Sequence, residues 1–134
     1  MWLRNHLANP VVRAVARSPA HVLLGRRLVL LAYRGRRTGR RHELPVMAAH
    51  SGTDLVVLVG QHTAKTWWRN FGSSPQEVQV LLRGRVERRD ARRLDPGDDG
   101  HAEAVQAYVR EFPRVRVGRD APVVFLTDRG RRPG

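Results

Sequence analysis

Gly35-Arg36-Arg37-Thr38-Gly39-Arg40-Arg41-His42-Glu43-Leu44-Pro45-Val46 joins two apolar runs, and how it is read decides the fold. The run before it, Arg27 to Tyr33 (Arg-Leu-Val-Leu-Leu-Ala-Tyr), is short and aliphatic, the pattern of a buried strand. Arg41 to Ala49 reads as the return strand. Pro45 within it implies a bulge or an edge position, because proline offers no N–H to a ladder. Between the strands, glycines at both ends of a tight turn allow positive φ and close backbone approach to a ligand. Four arginines fall within the six residues Arg36 to Arg41. Guanidinium forks, a hydroxyl and backbone N–H groups directed into one concavity suit phosphate or carboxylate oxygens. The plain alternative is a solvated hairpin tip whose charges keep the protein soluble.

The rest of the composition bears on which anion that is. A chain of 134 residues is the size of one ordinary domain. Twenty-five basic residues oppose twelve acidic ones, for a formal charge of +13, and Lys65 is the one lysine among them. Arginine is the better bidentate partner for oxyanions, and a charge of this size favours an acidic ligand, a nucleic acid or an anionic surface. The absence of cysteine excludes disulfides, zinc–thiolate sites and cysteine nucleophiles. No apolar run approaches the roughly 18 residues that span a bilayer. The first residues lack the h-region of a secretory signal, so the expected location is the cytoplasm.

Residues 1–26 are expected to form an amphipathic helical segment, with Asn9-Pro10 as N-cap and first helical residue and a short helix from Val11 to Arg17. This basic segment either caps the barrel or lies on a membrane. Further strands are expected at Leu55–Val59, Glu77–Leu82, Arg85–Leu94 and Val123–Thr127. His50 to Thr53 and Arg83-Gly84 form turns, and Gly60 to Ala64 a loop. Thr66 to Phe71 reads as a short helix ending at Gly72. Asp95-Pro96 opens a longer helix from Asp98 to Phe112, with Ala104, Val105, Tyr108, Val109 and Phe112 on one face. Residues 129–134 form a disordered basic tail. Six strands with short turns point to a closed or split barrel rather than a parallel sheet.

Four further features carry chemistry or imitate it. Gly60-Gln61-His62-Thr63 follows a buried strand, a natural place for polar groups that bind a ring, although an ordinary connecting loop reads the same way. His62 can donate a hydrogen bond or a proton near neutral pH. Trp67 and Trp68 are adjacent on a helix and cannot share a face, so one packs inward and the other covers a groove or ligand. Asn70, three residues after Trp67, can bond backbone or ligand. Asp98, Asp99 and Glu103 near a helix start complement its dipole, and no metal site is expected. Arg83, Arg85, Arg88, Arg89, Arg92 and Arg93 line one hairpin as a solvated face or, in the sharper reading, a nucleic-acid surface. Three phenylalanines and two tyrosines are few platforms for base stacking, which weighs against nucleic acid.

In order and spacing these pieces resemble the deazaflavin-dependent nitroreductase and quinone reductase family. The carrying residues are Gly35 to Gly39, His42, Pro45-Val46, Gly60-Gln61-His62, Trp67 with Asn70, and Ser73-Ser74-Pro75 leading into Val78 to Leu82. The likeness runs from about Leu28 to Thr127. It implies a mainly β (α+β) split β-barrel of about six antiparallel strands over residues 27–128. It also implies coenzyme F420, a 5-deazaflavin with a phosphodiester and an oligo-γ-glutamate tail. By the resemblance, Arg36, Arg37 and Thr38 hold the phosphate and tail. His42, Glu43, Leu44, Pro45, Val46 and Met47 line one edge of the ring system. Leu58, Val59, Gly60 and Gln61 line the other. Thr66, Trp67, Trp68, Arg69 and Asn70 close the site, with Trp67 beside the ring and Asn70 hydrogen-bonding.

The implied reaction is hydride transfer from the reduced deazaflavin to a small-molecule acceptor: a quinone, a nitroaromatic or an activated alkene. His62 is the candidate proton donor, with solvent as the competing source. Two departures concern the acceptor. Met47 follows Pro45-Val46 where well-known members carry a tyrosine after Pro-Leu. Arg114 to Arg119 is arginine-rich where they are tyrosine-rich. An FMN-binding relative with the same barrel, and a basic nucleic-acid module, are the alternative readings.

Overall fold

The strand β1 (Leu28–Arg34) pairs antiparallel with β2 (Arg41–Met47) on one side and with β5 (Gln76–Leu82) on the other. A strand flanked on both edges and covered on both faces needs apolar side chains at successive positions. Val29, Leu30, Leu31, Ala32 and Tyr33 are accordingly all buried. The computed structural model describes residues 27–60, 66–82, 85–116 and 120–128. These fall into two compact units, one drawn from Met1–Met47 and Val78–Arg88, the other from Ala48–Glu77 and Arg89–Gly134.

In the first unit the strand order is β2-β1-β5-β6, where β6 is Arg85–Leu94. β2 ends the row, which gives Pro45 the edge position its missing N–H requires. Leu30 and Ala32 form one small apolar cluster with Leu81 and Val86. Val29, Leu31 and Tyr33 alternate to the opposite face, where Val46 stands across from Val29.

In the second unit the order is β6-β7-β4-β3, with β3 Ala49–Ser51, β4 Asp54–Leu58 and β7 Val123–Asp128. β3 and β4 form a hairpin around Gly52-Thr53, and Gly52 takes the positive φ (61°) that a two-residue loop demands. β7 is the middle strand, paired antiparallel with both β4 and β6. One helix, α1 (His101–Glu111), lies over β3, β4 and β7. Its buried residues His101, Ala104 and Tyr108 repeat at helical spacing, and Ala104 and Tyr108 close a core with Val56, Leu58, Leu94 and Val123. The buried His101 Nε2–H donates to the Ala121 carbonyl (2.8 Å).

Three expectations change. The return strand stops at Met47. Met47 pairs with β1 while Ala49 pairs with β4, so the chain changes partner at Ala48 and the described residues hold seven strands rather than six. The long helix begins at His101, not Asp98. Gly97 (φ 94°) and Gly100 (φ 89°) are left-handed, and the Asp98 carboxylate accepts the Asp95 N–H (2.8 Å), so these residues fold as a turn. The β6 arginines are not one solvated face. Arg89 is buried and donates from Nη1 to the Thr53 (2.9 Å) and Leu126 (3.2 Å) carbonyls. Arg92 lies over the Phe125 ring (5.6 Å), and Arg93 over Trp68 (5.2 Å). Strand alternation sends neighbouring arginines to different surroundings, a pattern that composition hides.

Residues 1–26, the Arg83-Gly84 turn and the 129–134 tail lie outside the described residues. Among the described residues no helix is long and apolar enough to cross a membrane, and no group of three metal-ligating side chains gathers.

Burial raises the Tyr33 and Tyr108 phenols above their ordinary 10.0. A raised phenol in the fold means that the folded state holds its proton more tightly than the unfolded chain does. The associated stability is complete below about pH 10 and is lost as pH climbs through the folded value. Urea unfolding should therefore show a midpoint that falls above about pH 10, and Tyr108→Phe should reduce that fall.

Candidate functional site

In the first unit the basic turn is closed by four hydrogen bonds. Arg34 and Arg41 are the last pair of the β1–β2 ladder. Beyond it the Gly35 N–H donates to the Arg40 carbonyl (2.8 Å) and the Gly39 N–H to the Gly35 carbonyl (2.9 Å). Residues 36–38 thus make a single i→i+4 turn, which ends as helices often do, on a left-handed glycine. Gly39 has φ 70°. Arg34 Nη1 donates to the Gly39 carbonyl (3.2 Å), and Thr38 Oγ1 accepts the Arg40 N–H (3.3 Å). Gly35 is needed for space: a Cβ there would stand 3.3 Å from His42 Nε2 and 3.4 Å from Thr38 Oγ1. The side chains of Arg36, Arg37, Thr38, Arg40 and Arg41 are all exposed.

His42 stacks on the buried Tyr33, with ring centroids 5.3 Å apart and planes at 26°. Sequence reasoning lined His42 to Met47 along one ring edge. In β2 these residues alternate: His42, Leu44 and Val46 share one face, and Glu43, Pro45 and Met47 the other. One ligand face can meet one of these trios by side chain and the other only through backbone.

In the second unit Leu58 and Val59 are buried, and the Val59 N–H donates to the Pro122 carbonyl (3.1 Å). Gly60 follows, exposed, with no atom of the described residues within 4 Å of where a Cβ would sit. Gln61 and His62 lie outside the described residues. Thr66 is exposed and precedes a 3-10 helix, Trp67–Asn70. The two indoles part as adjacency requires. Trp67 meets the fully buried Phe71 edge-on at 6.3 Å, while Trp68 is faced by Arg69 (5.4 Å) and Arg93 (5.2 Å). Both indoles are half-buried, Arg69 is exposed, and Asn70 Nδ2 lies 3.5 Å from Gln76 Oε1. Sequence reasoning missed Gln76 and Arg93. The first carried no signal, and the second was lost in a run of arginines. A concavity of about 500 Å³ in this unit, bounded by Asp54, Asp90, Arg92, Phe125 and Thr127 with the 73–75 loop, contains none of the expected site residues.

Among the described residues, an antiparallel sheet with a covering helix defines a split-barrel protein. Two solved structures share the fold. One, described as a domain-swapped dimer, is 19% identical with a TM-score of 0.61, over 93% of this chain and 96% of its own. The other, an F420-H2 dependent reductase (FDR-A), is 15% identical with a TM-score of 0.55, over 76% of this chain and 95% of its own. No curated protein matches the chain. Residues 9–128 match the F420H(2)-dependent quinone reductase family, and the chain belongs to that family. It is an F420H2-dependent oxidoreductase, and its cofactor is coenzyme F420.

An alanine in the left-handed region costs about 1–2 kcal/mol. Gly39→Ala should therefore destabilise the protein by about 1 kcal/mol in urea unfolding. Gly60→Ala, with open space and no left-handed backbone, should stay within about 0.5 kcal/mol.

Proposed function

We propose that this enzyme passes a hydride from F420H2 to a quinone, a nitroaromatic or an activated alkene, and that the Arg36-Arg37-Thr38 turn grips the coenzyme's phosphate and glutamate tail. The observation that carries the reading is the turn itself, with exposed guanidiniums and a hydroxyl held on a closed backbone frame. The donor set fits the coenzyme: phosphate and carboxylate oxygens are what guanidinium forks bind in pairs. Open space at Gly60 and the half-buried faces of Trp67 and Asn70 suit a flat ring system.

In this reading Leu58, Val59, Gly60 and Gln61 and the Thr66–Asn70 segment hold the ring. When bound, the reduced deazaflavin supplies the hydride, from C5. The chain needs no nucleophile for such a reaction. Its residues bind, orient and exclude water, so that donor and acceptor carbons stay within roughly 3–3.5 Å. His62, assigned from sequence, gives the reduced acceptor its proton and completes a two-electron reduction. The acceptor is a small molecule met in the cytoplasm. Contact of residues 1–26 with a membrane finds no support.

Fluorescence titration with F420 tests the reading. Binding tighter than tens of micromolar is expected. The double variant Arg36→Ala with Arg37→Ala should weaken it roughly tenfold per arginine and flatten its salt dependence. Equal affinity and an equal salt slope in the double variant would refute the tail assignment.

A further inference from the structure

A four-residue 3-10 helix is poorly held by its own bonds. At the ends of Trp67–Asn70 the Arg69 N–H donates to the Thr66 carbonyl (3.0 Å) and the Phe71 N–H to the Trp68 carbonyl (3.1 Å). The direction in which the helix presents its side chains must be set from outside. Residues three apart eclipse in this geometry, so Trp67 and Asn70 share one face and Trp68 projects about a third of a turn away. Whatever fixes Trp68 therefore fixes the aim of the other two.

Arg93 is placed to do this. Its backbone N–H donates to the Gly72 carbonyl (2.7 Å), two residues past the helix. Its guanidinium faces the Trp68 ring at 5.2 Å, where a cation is drawn to the negative π face. Its Nε lies 3.1 Å from Asp95 Oδ1, an ion-pair contact too far off-axis to count as a hydrogen bond. Asp95 is itself locked, because its N–H donates to the Asp98 carboxylate (2.8 Å) while its carbonyl accepts the Asp98 N–H (2.9 Å). The guanidinium under Trp68 is thus held by β6 at one end and by a closed acidic turn at the other. Trp68 has cations at its ring and is engaged as a brace.

We infer that Arg93 is a positioning residue of the coenzyme site: acting through the Trp68 indole, it orients the 67–70 helix so that Trp67 and Asn70 face the deazaflavin ring. The inference rests on the reading that these two residues hold the coenzyme. It reassigns Trp68 from ring contact to brace, and it gives one β6 arginine a task distinct from gripping the tail.

A double-mutant cycle tests it. F420 affinity is measured for the wild type, Arg93→Gln, Trp68→Leu and the double variant, each first shown by thermal melting to be folded at the assay temperature. Trp68→Phe replaces Trp68→Leu if the latter does not fold. Each single variant should weaken binding about tenfold, and the double variant no further than either single, because both break one brace. Arg93→Lys keeps a cation for the indole and for Asp95 and should recover at least half of the loss on a logarithmic scale.

Near-UV circular dichroism without coenzyme gives a separate readout. Arg93→Gln should diminish the indole signal, and Trp68→Leu should abolish that sensitivity to Arg93. Additive losses, or unchanged affinity in Arg93→Gln alongside a wild type that binds, would overturn the inference. A wild type that binds no F420 would overturn the site reading and the coenzyme part of this inference together. The near-UV comparison would then decide the Arg93–Trp68 brace alone, an unchanged indole signal in Arg93→Gln overturning it.

Discussion

The pairing of Leu28–Arg34 with Arg41–Met47 ends with Arg34 opposite Arg41, and the chain must reverse across a segment whose side chains repel one another. Five arginines from Arg34 to Arg41 crowd the end of this hairpin. The reversal holds because Gly39 accepts a left-handed conformation, Gly35 leaves room for Thr38 and His42, and backbone bonds close the loop. Repulsion among guanidiniums counts against the free protein and falls when an anion arrives. Bound phosphate or carboxylate would lower that repulsion, in keeping with the anion grip proposed for the turn. Violations of local design rules of this kind gather at functional sites.

The second unit handles its arginines differently. β7 lies between β4 and β6 with Val123, Val124 and Leu126 fully buried, and α1 covers one face. Arg89 bonds two carbonyls, Arg92 covers a phenylalanine, and Arg93 braces an indole. Much of the positive charge on β6 is therefore committed to the fold. Arg89 and Arg93 are drawn in from solvent, whereas Arg85, Arg88 and Arg92 stay exposed like the guanidiniums of the turn. A single electrostatic label for a chain of +13 would miss that division.

Much of this was legible in the residues. β1, β4 and β7 announce themselves as short aliphatic runs, and Pro45 marked an edge strand. The order of basic turn, Pro-containing strand, Gly-Gln-His loop and Trp-Asn helix points to the family. The break at Ala48 was illegible, because an alanine between a methionine and an alanine carries no turn signal and the change of partner is a tertiary event. The start of α1 is expected at Asp98 because Asp95-Pro96 reads as a helix opening, whereas the Asp98 carboxylate closes a turn with Asp95. In β2, six consecutive residues looked like one lining, whereas strand geometry divides them between two faces. Arg93 was hidden by its neighbours, since a charge run reads as solvated surface until the register shows which member meets an aromatic ring.

The central claim is that the Arg36-Arg37-Thr38 turn recognises the anionic handle of the coenzyme. It is tested most directly by comparing the affinity of F420 with that of the same deazaflavin lacking phosphate and glutamates, at low and at high salt. F420 should bind at least about a hundredfold more tightly at low salt, with a gap that narrows as salt screens the guanidiniums. Equal affinities for the two compounds, unmoved by salt, would contradict it.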